Sequence, residues 1–184
     1  MRTFRKLVYV MVMLLVITSC TSVNISSIKN YEKKISEVSG ILVFSDMVDM
    51  ELRLSLEKEI VNQFVLNGKY AKESILLFPP IKDYSVSEIK EKCELERITA
   101  RLKISPISSS TETGFMYMYG TLVPVSSTDY SFDMILQDLS DDAIILRSTV
   151  SVADGGSIKS VIDDVAKKIV AEIIAEGRKE KWQY

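Results

Sequence analysis

The chain has 184 residues, 23 of them Lys or Arg and 25 Asp or Glu, with two cysteines and no histidine. Without an imidazole, Cys–His catalysis and Cys/His zinc sites are excluded, because the commonest general base and transition-metal ligand is missing. The mildly acidic balance argues against nucleic acid, whose binding rests on clustered Lys and Arg facing phosphates.

The first element, residues 1–19, reads as a signal peptide. Arg2, Arg5 and Lys6 precede an apolar run of eleven residues, Leu7 to Ile17, and Ile17-Thr18-Ser19-Cys20 closes it. That order of basic, apolar and small-residue segments marks a secretory signal, and the run falls short of the about 20 residues that span a bilayer. The closing four residues resemble the lipobox of bacterial lipoproteins. The resemblance implies cleavage before Cys20, lipidation of that cysteine with a diacylated group (palmitate-type chains) and a mature chain tethered to a cell-envelope membrane. Thr21, where inner-membrane retention would favour aspartate, leans the assignment towards the outer membrane. Removing residues 1–19 leaves 165, enough for one domain with a real core. Cys93 is then the only free thiol, so no intrachain disulfide can form. A lone helical cysteine of this kind reads as a small, partly buried apolar group, with a redox or partner-bridging thiol as the sharper alternative.

Residues 20–39 are polar and weakly periodic. They read as the lipidated N-terminus and a tether, with at most a short helix around Tyr31 to Val38; a coil of that length spans about 25 Å. The domain is expected over 40–177. Ile41 to Phe44 is a continuous apolar run, as in a strand covered on both faces. Asp46 or Asp49 can cap the next helix, whose apolar face carries Leu56, Ile60, Val61, Phe64 and Val65, with Glu57, Lys58 and Glu59 between them. Asn67-Gly68 ends it, because glycine readily takes a left-handed conformation. Ser74 to Phe78 reads as a second strand, stopped by Pro79-Pro80. Ser85 opens a short polar helix reaching about Cys93.

Ile98 to Ser105 alternates apolar and polar residues, the pattern of a half-exposed strand. Residues 106–114 read as a loop, and Phe115–Val123, Tyr130–Leu139 and Ala143–Val152 as three further strands. Ser140-Asp141-Asp142 turns the last two into a hairpin. Ser157 caps a final helix with Ile158, Val161, Ile162, Val165, Ile169, Val170 and Ile173 on one face. Gly177 closes that helix and Arg178 and Lys179 suit its dipole, leaving 178–184 as a C-terminal tail. The expected fold is a single-domain α+β two-layer sandwich, a mixed sheet with helices on one face, in the order β-α-β-α-β-β-β-β-α.

At this point the chain resembles a group of uncharacterised bacterial envelope lipoproteins. Leu56 to Val61, Asn67-Gly68, Ala71 to Pro80, Tyr84-Ser85 and Ala100-Arg101-Leu102 carry the likeness. The opening strand–helix–strand is loosely similar to the N-terminal domain of the Tol translocation protein, to penicillin-binding-protein activator lipoproteins and to the soluble part of the curli secretion lipoprotein. The chain departs from the group at Ile145-Leu146-Arg147, where a tryptophan is frequent. The group defines no functional residues, so none is carried over.

Candidate chemistry is sparse. The pairs Asp46/Asp49, Asp141/Asp142 and Asp163/Asp164 fall at a helix start, a turn and a polar helix face, where solvated structural acids outnumber catalytic ones. Asp154-Gly155-Gly156-Ser157 lacks the lysine and spacing of a phosphate loop and is explained by a turn and cap. Ser108-Ser109-Ser110 has no histidine partner and no nominated lysine. No cofactor and no metal are expected.

The tyrosine- and methionine-rich stretch 115–119, with Tyr130 and Phe132, suits either a sheet core or an adaptable contact surface. Tyr117, Tyr119, Tyr130 and Trp182 are the candidate partner surface, and Trp182 lies in a tail that either docks or stays disordered. The sequence thus points to a non-enzymatic, lipid-anchored envelope protein that binds a protein partner through an open sheet face or edge. The alternative is a small-ligand or lipid-binding lipoprotein with a pocket between helices and sheet lined by Phe44, Phe64 and Met134. The third is an oligomeric secretion subunit with membrane hairpins, which Asp133, Gln137 and Asp138 disfavour on the 130–139 strand.

Overall fold

A computed structural model describes residues 22–30, 32–118, 121–154 and 158–180. Its frame is a six-stranded sheet in the order β1-β6-β5-β4-β2-β3. The strands are β1 (Ser22–Lys29), β2 (Gly40–Ser45), β3 (Tyr70–Glu73), β4 (Ala100–Met118), β5 (Thr121–Asp138) and β6 (Ile144–Asp154). β3, β2 and β4 run parallel, and β4, β5, β6 and β1 are antiparallel neighbours. The helices are α1 (Met50–Leu66), α2 (Ser74–Leu77), α3 (Val86–Leu95) and α4 (Ile158–Glu180). This is the mixed-sheet α+β domain expected from the sequence.

The two long helices share one face of the sheet. Leu56, Ile60 and Phe64 of α1 and Val161, Val165, Ile169 and Ile173 of α4 are buried there against Ile41, Val43, Leu102, Ile104, Met134, Leu136 and Val150. Their three- and four-residue spacing is what lays an apolar stripe on a helix. α1 begins at Asp49, whose carboxylate accepts from the amides of Glu51 and Leu52, and ends where Gly68 adopts φ +72°. Ser85 caps α3 in a reciprocal capping box with Glu88, and the bonds from Lys82 and Ser85 lower the Glu88 pKa to about 2. The opposite face of β2 is covered too. Leu42 packs there with Cys93, Ile98 and Leu139 in a smaller apolar cluster under α3.

Several expectations are corrected. Residues 22–29 are not tether: they form β1, which pairs along its whole length with β6, from Ser22↔Ala153 to Lys29↔Leu146. Their alternation Val23, Ile25, Ser27 was masked by small polar residues, yet Val23 and Ile25 pack on the core. Around Tyr31 to Val38 the helix is only a 3-10 turn, Ile35–Glu37. Ser74–Phe78 is not a strand, because Ser74 and the Ile75 amide are drawn to the Glu57 carboxylate and the chain coils into α2. A short apolar run cannot by itself distinguish these outcomes.

Residues 106–114 are not a loop, and 115–123 is not one strand. β4 continues to Met118 and β5 starts at Thr121, with Met118↔Thr121, Tyr117↔Leu122 and Met116↔Val123 paired across the reversal. Four expected strands are therefore three. Pro106 sits beside a register shift between Pro106 and Ser108, past the last β2 partner, where its missing N–H is tolerated. Gly177 does not end α4, which runs on to Glu180; it faces the side chain of Ile35, where a Cβ would come within 3.1 Å.

Candidate functional site: an arm and a cationic groove

Pairing defines where the sheet ends and an arm begins. Ser22, Ala153, Asp129 and Ser110 form one row across β1, β6, β5 and β4. Among the described residues, pairing with β6 and β1 reaches Asp154 and Ser22, while β4 and β5 remain paired to Met118 and Thr121. From Thr111 to Met118 the ribbon projects roughly 24 Å, at about 3.4 Å per residue. Residues 113–128 contain no Asp, Glu, Lys or Arg. Thr111 and Thr128 hydroxyls meet across its base at 3.2 Å. Isolated two-stranded ribbons are marginally stable in water, because each residue has only one pairing neighbour and no core beneath it.

The four candidate surface residues are not brought together. Tyr117 is on the arm and 71% exposed. Tyr130 is half-buried and packs on the main core, so it belongs to the helix-covered side rather than to an open surface. The pairing Tyr117↔Leu122 places the two tyrosines eight residues apart along β5, about 26 Å. Tyr119, Trp182 and Cys20 lie outside the described residues, as does Ser157. The sheet's other face carries polar pairs, among them Arg147 held by both carboxylate oxygens of Asp133 at 3.1 and 2.9 Å. Asp133, Gln137 and Asp138 are in the body of the sheet, not in the arm.

The pocket expected between helices and sheet does not form from Phe44, Phe64 and Met134. Met134 is a fully buried core residue, Phe64 borders a small cavity of about 200 Å³ with Ile41 and Ile173, and Phe44 lines a different site. That site is a groove of about 560 Å³ bounded by Phe44, Arg53, Phe78, Tyr84 and Arg101, among others. Its inner wall rests on Glu57, a fully buried carboxylate that the sequence reading left on the polar side of α1. Glu57 accepts from the Ser45 amide at 2.9 Å, Arg53 Nε at 2.9 Å, the Ser74 hydroxyl at 3.0 Å and the Ile75 amide at 3.2 Å. A buried charge persists only when it is saturated in this way. Arg53 four residues earlier, in ion-pair spacing, is the sequence signal that marks it. The Arg53 guanidinium lies 4.8 Å from the Phe44 ring centre.

The other candidates are structural. Asp49 is a cap, and Asp141 binds Lys33 at 2.7 Å. Asp163 binds Lys167 on the α4 surface. Ser108 to Ser110 are exposed positions of β4. Cys93 is buried among apolar residues, and burial pushes its thiol pKa up, which suits packing rather than nucleophilic chemistry. Among the described residues no helix is long and apolar enough to cross a membrane, and no group of three or more acids or cysteines is placed to hold a metal ion.

No protein-family model matches the sequence, and no curated protein sequence aligns with it significantly. Solved structures do resemble it. A point variant of the PelC dodecamer from Paraburkholderia phytofirmans superposes with TM-score 0.52 at 12% identity, over 84% of this chain and 98% of that one. The PelC dodecamer in another crystal form gives 0.52 at 11% identity over 82% and 96%. Lipoprotein GNA1162 from Neisseria meningitidis is also among the similar structures, with TM-score 0.43, 15% identity, and 74% and 99% coverage. At these identities the PelC likeness shows a shared fold.

Proposed function

We propose that this chain is a lipid-anchored envelope protein that works by binding another envelope protein rather than by catalysis, and that the β4–β5 arm is its contact element. The observation that carries this is the arm's position. Ser22 begins β1 at the row from which the arm projects, and Cys20 is two residues earlier, within about 7 Å of chain. The lipid and the arm then share one end of the sheet, so a partner met by the arm lies at or in the membrane. The ribbon's free backbone edges and uncharged sequence favour strand addition and apolar contact. The lipobox-like Ile17 to Cys20 supports the anchor, with Thr21 favouring the outer membrane.

Self-assembly is the second reading. PelC, which shares the fold, is a dodecamer, and unpaired arm edges suit contacts between copies. A spanning hairpin is disfavoured, because seven paired residues per strand beyond Thr111 and Thr128 fall short of the about 9–11 that cross a bilayer.

The test replaces Tyr117 with a photocrosslinking aromatic residue in the lipidated protein in its own envelope. The expected result is one dominant adduct, with another protein or with a second copy. Adducts with lipid alone, or a diffuse set of proteins, would overturn the arm's assignment. Cys20→Ser should move the protein out of the membrane fraction, and a variant that still sediments with membranes would remove the anchor.

A further inference from the structure

The groove at Arg101 lies away from the arm, and its chemistry is unexplained by partner binding. Three aromatic rings line it: Phe44, Phe78 and Tyr84, the last two edge to face at 5.2 Å between centres. Lys82 lies 4.7 Å from the centre of the Tyr84 ring, and Lys92 lies 5.1 Å from it. Carboxylates at hand are largely engaged: Glu57 by Arg53 and the backbone, Glu88 by Lys82 and Ser85, leaving exposed Asp83 at the rim. Arg101 has a neutral partner, the Gln137 carbonyl oxygen at 2.6 Å, and its Nε is buried with no acceptor among the described residues. Lys92 likewise donates to a neutral group, the Leu77 carbonyl, at 3.1 Å.

A guanidinium that lines a groove and bonds only a neutral amide among the described residues keeps its charge available to a bound anion. Planar guanidinium matches a carboxylate or phosphate, and the aromatic walls suit a ring or other flat apolar body beside that anion. The volume falls in the range of small-molecule sites, about 300–1,000 Å³. We propose that this groove binds a small anion, a carboxylate or phosphate carried on a ring, with the Arg101 guanidinium meeting the anion and Phe78 and Tyr84 holding the ring.

The test is titration of the full lipidated chain, in non-ionic detergent micelles, with phenyl phosphate, benzoate, inorganic phosphate and benzyl alcohol, followed by amide NMR shifts. Phenyl phosphate or benzoate should bind saturably and move resonances around Ser74, Tyr84 and Arg101, and whichever binds tighter identifies the anion. Benzyl alcohol should fail, and inorganic phosphate should bind at least tenfold more weakly than the ring-bearing anion. Arg101→Gln should weaken that binding by tenfold or more while Arg101→Lys keeps part of it; Tyr84→Leu, remote from the sheet hydrogen bonds, supplies a second variant with the same expected direction. Absence of saturable shifts for both ring-bearing anions, or equal affinity in Arg101→Gln with the spectrum of a folded domain, would overturn the proposal.

Discussion

Glu57 sits one position along from the core stripe of α1, yet it is as buried as its apolar neighbours. Its value lies in what it joins: the end of β2 through Ser45, the start of α1 through Arg53, and α2 through Ser74 and Ile75. Glu57→Gln would place an amide donor among groups that already donate, and would leave Arg53 without its counter-charge. The expected loss is about 3–5 kcal/mol, the range for breaking one partner of a buried ion pair. Urea denaturation measures it, and a change below about 1 kcal/mol would show that the network is dispensable. A charge inside a helical stripe reads as solvated from sequence alone, because only Arg53 is a local partner and the groups that complete its burial come from residues 45 and 74–75.

The elements are tied at their ends as much as through their faces. The last residue described in α4, Glu180, is 7% exposed and binds Lys29 of β1 at 2.6 Å and the amides of Ile35 and Ser36 at 2.9 Å. Burial works against its charge, but Lys29 and the two amides outweigh it, so its pKa falls below the ordinary 4.5. A group whose folded pKa is lowered stabilises fully above its unfolded value and loses that contribution as pH falls through the folded one. Glu180→Gln should therefore be less stable at neutral pH by about 1.5–3 kcal/mol, the range for hydrogen bonds to a charged group. The gap should close as the solution is acidified below the ordinary carboxylate range. Melting curves at stepped pH read this directly, and a gap that stays constant to pH 2–3, roughly one to two units below that range, would refute the assignment.

The same elements mark where sequence patterns mislead. α1, α3 and α4 were legible because a helix repeats its burial every three to four residues and caps itself with local side chains. β1 was missed because strand pairing is a backbone property, and SVNISSIK offers only Val23 and Ile25 to the core. The arm was missed for a related reason: pairing between its two backbones imposes no residue pattern, so its Ser- and Thr-rich half imitates a loop and its apolar half a strand.

At the scale of the molecule, the arm and the body are separable. The main core gathers residues of all six strands around α1 and α4, and the described core residues on β4 and β5 end at Ile104 and Phe132. Replacing residues 112–127 with a two-residue Asn-Gly turn should leave the melting temperature within about 4 °C of the parent, equivalent to about 1–2 kcal/mol in a domain of this size. It should also abolish co-purification of the partner that the Tyr117 crosslink identifies. A body that unfolds when the arm is removed would make the arm a structural element rather than a contact device.

The sequence by itself determined the α+β class, the caps at Asp49 and Ser85 and the apolar faces of the long helices. Each of these is a short-range property, readable from neighbours within one turn or one segment. Only the tertiary structure decided that the chain enters the sheet two residues after Cys20, that the arm leaves from that same end, and that Glu57, Arg53, Ser74 and Arg101 converge around one groove. Those features depend on which distant strands pair and in what register, and hydrogen bonds between backbones far apart in the chain leave no local mark on the residues that make them.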